Sequence, residues 1–170
     1  EEIYRQGGVI AGTSAGATAL GEMMLVGSPH EGICKLGDIQ MTPGLGLVKN
    51  MIIDQHFSER GRIRRLLGAV AQNPRMLGIG IDEDTAVVVE SDGSFHTAGS
   101  GAVYVVDGHD LSHTNISEVS FNRAMSVFGL KLHVLSRGDR FDVRSRHPAP
   151  ARADVEDLDA ELRLIREEIA

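Results

Sequence analysis

Apolar residues fall along the chain in short clusters whose period changes from one to the next. Val9 and Ile10, β-branched and placed after Gly7-Gly8, predict a short buried strand, while Ala15 to Met24, rich in good helix formers, predicts a helix. Only Gly12-Thr13-Ser14-Ala15-Gly16 separates the two. From Pro29 to Leu47, glycines and Pro43 interrupt any period, which predicts loop. Met51-Ile52-Ile53 is a short apolar run with the character of a core strand. Ile63, Leu66, Leu67 and Val70 then recur at helical spacing, with Ser58 as a candidate N-cap and Asn73-Pro74 as the stop. Met76 to Ile81 and Thr85 to Glu90 predict strands on either side of Asp82-Glu83-Asp84, and Asp92-Gly93 is a hairpin signal. Ala102 to Val106 and Leu130 to Leu135 add strands.

At the two ends the pattern is different. Glu1 to Gln6 reads as the last turn of a helix capped by Gly7, so the chain is expected to begin inside an element, with an N-terminal portion missing. His147-Pro148-Ala149-Pro150 predicts a linker, after which Val155, Leu158, Leu162, Ile165 and Ile169 form an apolar stripe on an otherwise acidic helix. The expected organisation is residues 1–146 as the C-terminal portion of one α/β domain, 147–153 as linker and 154–170 as an amphipathic terminal helix. That helix suits docking on its own domain, with a homodimer as the second use of the same stripe. There is no internal repeat.

Composition narrows the classes. With 170 residues, 42% of them hydrophobic and 24% charged, the chain can bury one substantial core. Its net charge is −7, and nothing in that balance points to a nucleic-acid binder. Cys34 is the single cysteine, so no internal disulfide can form, and no apolar run approaches a membrane span. A cytoplasmic protein without membrane partners is the expectation.

The small residues around Ser14 carry the first chemical signal. G-x-S-x-G between a strand and a helix is the nucleophile-elbow pattern, in which a sharp turn lifts the serine hydroxyl beside backbone N–H groups. The same five letters also fit a Gly/Ser turn ending in an N-cap, so a base must decide. A serine hydroxyl needs an imidazole to take its proton, and the imidazole needs a carboxylate to fix its tautomer. His56 is the best placed of the seven histidines, because it ends a core strand and strand ends line the crevice of α/β domains. His109 and His113 lie in loop-like sequence with no third ligand at metal-site spacing, so a metal centre is not expected. Among the acids after the second strand, alternation turns Glu83 away from Asp82 and Asp84 and makes it a separate candidate. The order serine, histidine, acid differs from that of the α/β-hydrolases.

Three segments resemble one family: GTSAGA at the elbow, DQHFSERGRIRRL from Asp54 to Leu66, and GIGIDEDTA from Gly78 to Ala86. The chain is similar, from Gly12 to about Leu135, to the cyanophycinases, serine-type exopeptidases related to the aspartyl dipeptidases. The resemblance implies a three-layer α/β/α fold like that of the class I glutamine amidotransferases, flavodoxin-like, with the N-terminal part lacking. It implies Ser14 as nucleophile, His56 as general base and Glu83 as orienting acid, with no metal or organic cofactor. Asp54, Gln55, Arg60, Arg62 and Arg65 would contact the substrate, and the Ala15 N–H would serve as one oxyanion donor. The implied substrate is cyanophycin, a polyaspartate with arginine on each β-carboxyl, released as β-Asp-Arg dipeptides, or another β-aspartyl peptide. Arginines on one helix also suit a solvated face paired with acids such as Glu59.

The alternatives are an aspartyl dipeptidase-like peptidase and a non-catalytic binding protein on the same fold. An amidotransferase domain would carry cysteine at the elbow, where this chain has Ser14.

Overall fold

The structure is a computed structural model of the chain and describes residues 2–26, 39–117 and 124–151. A short helix α1 (Glu2–Arg5) leads through a segment without regular structure to α2 (Ala15–Leu20), followed by β1 (Gly21–Val26), β2 (Gln40–Pro43) and β3 (Val48–Gln55). Helix α3 (Ile63–Gln72) returns the chain to β4 (Leu77–Ile81), and β5 (Thr85–Val89), β6 (Phe95–Gly99) and β7 (Val103–Asp107) follow. The remaining strands are β8 (His113–Thr114), β9 (Val127–Phe128), β10 (Lys131–Leu135), β11 (Arg140–Asp142) and β12 (His147–Ala149).

One sheet runs in the order β10-β7-β4-β3-β1-β2. Strands β1, β3 and β4 are parallel, and β2, β7 and β10 pair antiparallel with their neighbours. A second, antiparallel sheet has the order β12-β11-β6-β5, and β8-β9 form a two-stranded ribbon. The α/β class expected for residues 1–146 and implied by the resemblance is the class observed. Among the described residues, α3 covers one face of the main sheet, and β6 and β11 send Phe95 and Phe141 into the core on the other.

The sequence of β4 explains how the two faces differ. Leu77, Ile79 and Ile81 join Met51, Ile53, Val103 and Val105 in one core cluster. Gly78 and Gly80 face the other way, where close approach excludes side chains. A Cβ at Gly78 would lie 2.6 Å from Val70 and 2.9 Å from Leu66, and one at Gly80 would lie 2.6 Å from the Phe57 ring. Leu66, Val70 and Phe57 are therefore seated directly on the backbone of β4. Full burial of side chains of this size contributes about 1.5–3 kcal/mol each.

Five local expectations are corrected. Gln40–Pro43, inside the expected loop, is strand β2 paired with β1, and the N-cap position of α3 is Arg62 instead of Ser58. Residues 8–13 form no strand, and Val9 is 69% exposed; the places beside β3 are taken by β1 and β4. The helix expected from Ala15 to Met24 stops at Leu20, where the Gly21 N–H caps onto the Thr18 carbonyl. Pairing of Met23 and Met24 with Ile52 and Ile53 outweighs their helix propensity. His147–Ala149, expected as linker, is strand β12, and Pro148 lies opposite Phe141 on an edge where no N–H is required. Arg146 fastens this hairpin to the main sheet, donating to the Asp107 carboxylate and to the Arg75 carbonyl. Cys34, the linker end and the terminal segment 154–170 lie outside the described residues.

Candidate active site

Ser14 sits in the turn immediately before α2, with φ 49° and ψ −120°. A positive φ is unfavourable for a residue with a Cβ, and such strain persists where surrounding structure over-determines it. Here the Ala17 N–H donates to the Ser14 carbonyl and the Gly16 N–H to the Thr13 carbonyl. The two glycines of the motif are not equivalent. A Cβ at Gly12 would come within 2.6 Å of the Gly16 backbone, whereas one at Gly16 meets nothing within 4 Å. Ala15, the first residue of α2, directly follows the serine.

His56 follows the last residue of β3 and also has a left-handed backbone, φ 48°. Its Nε2 lies 3.0 Å from Ser14 Oγ, and its Nδ1 lies 2.9 Å from Glu83 Oε1. A carboxylate only accepts, so Nδ1–H donates to Glu83 and, in the neutral ring, Nε2 is left to accept from the Ser14 hydroxyl. The two side chains are 27% and 55% exposed, so the row of three opens toward solvent. The structure thus brings Ser14, His56 and Glu83 together from three separate turns.

A cavity of about 620 Å³ lies beside them, lined by Gly12, Ser14, Gln55, His56, Glu83 and the apolar side chains of β3, β4 and β5. Gln55 presents a buried Oε1 with no hydrogen-bond partner. The other four residues expected to contact substrate are placed differently. Asp54 is 0% exposed. Its two carboxylate oxygens accept from Arg65 Nε at 2.9 Å, from Arg65 Nη2, and from Arg62 Nη1 at 3.3 Å. Arg62 also donates to the Gln55 carbonyl, and the Gln55 N–H donates to Asp54 at 3.0 Å. In this arrangement the Asp54 carboxylate is engaged inside the protein, and Arg62 and Arg65 point at it. Arg60 is exposed, its N–H donating to the His56 carbonyl.

Two acids that sequence patterning did not single out for this purpose stand at the same loops. Asp82 accepts from the N–H groups of Ser58 at 2.9 Å and Ala102 at 3.3 Å, and Glu59 accepts from the Glu83 N–H at 3.1 Å. Their positions next to His56 and Glu83 in sequence are the only signal that could have pointed to them. Among the described residues, no group of three His, Cys, Asp or Glu is arranged to hold a metal ion. No helix among them is long and apolar enough to cross a membrane.

A sequence model described as peptidase family S51 matches residues 1–97. A cyanophycinase of Trichormus variabilis is 46% identical over 155 residues, covering 88% of this chain and 52% of that protein. A cyanophycinase of Synechococcus elongatus is 38% identical over 144 residues, covering 85% of this chain and 45% of that protein. The chain therefore spans about half the length of the curated relatives it matches. The crystal structure of a peptidase from an acI-B1 actinobacterium aligns with a TM-score of 0.47 at 22% identity, over 79% of this chain and 46% of that one. The family match extends over more than half of the 170 residues and takes in Ser14, His56 and Glu83, and on that ground the chain belongs to peptidase family S51.

Proposed function

We propose that this chain carries the reacting residues of a serine peptidase that hydrolyses cyanophycin to β-Asp-Arg dipeptides. The observation that carries the reading is the unbroken row from Ser14 Oγ through both ring nitrogens of His56 to Glu83 Oε1, with steps of 3.0 and 2.9 Å. The substrate assignment rests on the relatives, which are cyanophycinases.

Within this reading each group has one task. Ser14 Oγ attacks the scissile carbonyl carbon as its proton passes to His56 Nε2. Glu83, accepting from Nδ1–H, holds the tautomer and stabilises the imidazolium. The N–H of Ala15, the residue after the nucleophile, is the donor for the oxyanion. Collapse breaks the C–N bond, Nε2–H passes its proton to the departing amine, and an acyl-serine remains. Water, deprotonated by His56, then releases the acid and restores the hydroxyl.

The polymer offers rows of carboxylates and guanidinium groups. Gln55, which lines the cavity, and the exposed Arg60 are the residues of the expected set placed to meet such a chain. Asp54, Arg62 and Arg65 support the floor on which Gln55 sits.

Ser14→Ala in the intact protein is expected to lower turnover of cyanophycin by about 10⁶-fold with an unchanged unfolding midpoint, since only a hydroxyl is removed. Dipeptide release measured by mass spectrometry checks it, and near-normal release would exclude the serine mechanism. Labelling of Ser14 by a fluorophosphonate tests the nucleophile without assuming the substrate.

A further inference from the structure

We infer that Glu59 and Asp82 are positioning residues that form a reciprocal clasp between the loop bearing His56 and the loop bearing Glu83. The inference rests on the Ser14-His56-Glu83 reading and adds to it the device that sets the spacing between two of its members.

His56 and Glu83 come from turns after adjacent parallel strands, β3 and β4. Regular pairing ends with Gln55 opposite Ile81, so beyond that point the sheet ladder no longer fixes how far apart the two turns stand. Each turn also contains a left-handed residue that is not glycine, His56 at φ 48° and Asp84 at φ 50°. Conformations of this kind need outside support.

The support is exchanged crosswise. The Phe57 N–H donates to the Ile81 carbonyl at 3.1 Å. One residue further on, the Ser58 N–H donates to Asp82 Oδ1 at 2.9 Å, so an acid of the Glu83 loop holds the His56 loop. In return, the Glu83 N–H donates to Glu59 Oε1 at 3.1 Å, so an acid of the His56 loop holds Glu83 itself. Asp82 Oδ2 accepts from the Ala102 N–H at 3.3 Å and ties the pair to the start of β7. A backbone N–H paired to a carboxylate makes a stronger bond than a neutral pair, which suits these two exposed loops. With both arms closed, the His56 ring and the Glu83 carboxylate are held at 2.9 Å.

The role makes a distinction between variants that simple loss of an acid would not. Glutamine keeps a carbonyl oxygen where Glu59 Oε1 stands, so Glu59→Gln should retain kcat within about twofold. Glu59→Ala removes the acceptor and should lower kcat by about tenfold with KM unchanged, within the ~100-fold that an ångström of misplacement costs. Asp82 uses both oxygens on N–H groups, so Asp82→Asn presents a donor to a donor on one arm and should also lose about tenfold in kcat.

The experiment measures kcat and KM on cyanophycin, and the rate of fluorophosphonate labelling, for Glu59→Ala, Glu59→Gln, Asp82→Asn and Ser14→Ala in the intact protein. A fall in kcat and labelling rate for Glu59→Ala that Glu59→Gln restores supports the clasp. Equal loss in Glu59→Gln and Glu59→Ala would mean that charge, not position, is what Glu59 supplies, and would overturn it. Unchanged kcat in Glu59→Ala, with Ser14→Ala inactive, overturns the clasp and leaves the serine reading intact. Full activity in Ser14→Ala removes the serine reading and the clasp with it.

Discussion

Asp54 and His56 are two residues apart at the end of the same strand, yet one is sealed inside the protein and the other stands at the cavity mouth. In β3, Met51, Ile53 and Gln55 line the cavity, while Ile52 and Asp54 face α3. Continued alternation would send His56 to the α3 side with Asp54. The left-handed backbone at His56 breaks the alternation and swings the ring toward Ser14. One strand end thus delivers a buried charge to one face and an imidazole in reach of Ser14 and Glu83 to the other, and the left-handed turn at His56 separates the two. Glu83 needs no such device, because it continues the face of Ile79 and Ile81 and meets His56 there.

The two sides of this comparison should respond to substitution in different observables. On the side of Ser14, His56 and Glu83, the proposed serine mechanism predicts that Glu83→Gln, which keeps a hydrogen-bonding shape but loses the charge, lowers kcat by roughly 10⁴-fold by analogy with other triad carboxylates. The unfolding midpoint should hold, since Glu83 is exposed. A steady-state assay beside a thermal melt checks both halves, and a kcat within tenfold of the parent would place the orienting charge elsewhere.

On the framework side, Asp54→Asn should act on stability first. It leaves the guanidinium groups of Arg62 and Arg65, each 13% exposed, facing a neutral side chain. Breaking a buried pair from one side costs about 3–5 kcal/mol, which denaturant unfolding of the intact protein would register. A variant that melts normally but loses cyanophycin affinity would make Asp54 a substrate residue after all.

The smallest effect belongs to the seat of Phe57, the residue between His56 and the clasp. Gly80→Ala puts a methyl group 2.6 Å from the Phe57 ring, so the ring must shift. Overpacking of this kind costs about 1–3 kcal/mol. A parallel loss of activity would show that His56 depends on the packing of its neighbour, while a stable and fully active variant would show that the ring can move without disturbing the loop.

Much of the placement of Ser14, His56 and Glu83 was legible in the sequence because the signals are local. The small residues around Ser14 require a tight turn, the apolar run before His56 requires a core strand, and alternation after Ile81 separates Glu83 from Asp82. The helix of Ile63 to Val70 and the strands around Asp82 to Asp84 follow from period alone, since one buried face is enough to select them. Tertiary structure decided the rest. Val9 and Ile10 have strand propensity but form no strand, and Met23 and Met24 have helix propensity but pair with Ile52 and Ile53 in the sheet, so tertiary partners outweighed preferences worth a fraction of a kcal/mol per residue. The arginines of residues 60–65 look alike in sequence, and only the position of α3 against β3 turns Arg62 and Arg65 onto Asp54 and leaves Arg60 outside. The crossed bonds of Glu59 and Asp82 span 24 residues each, a separation over which no local pattern carries information. Period and propensity act within a few residues, whereas which charge meets which N–H is settled only when the sheet has brought the two loops together.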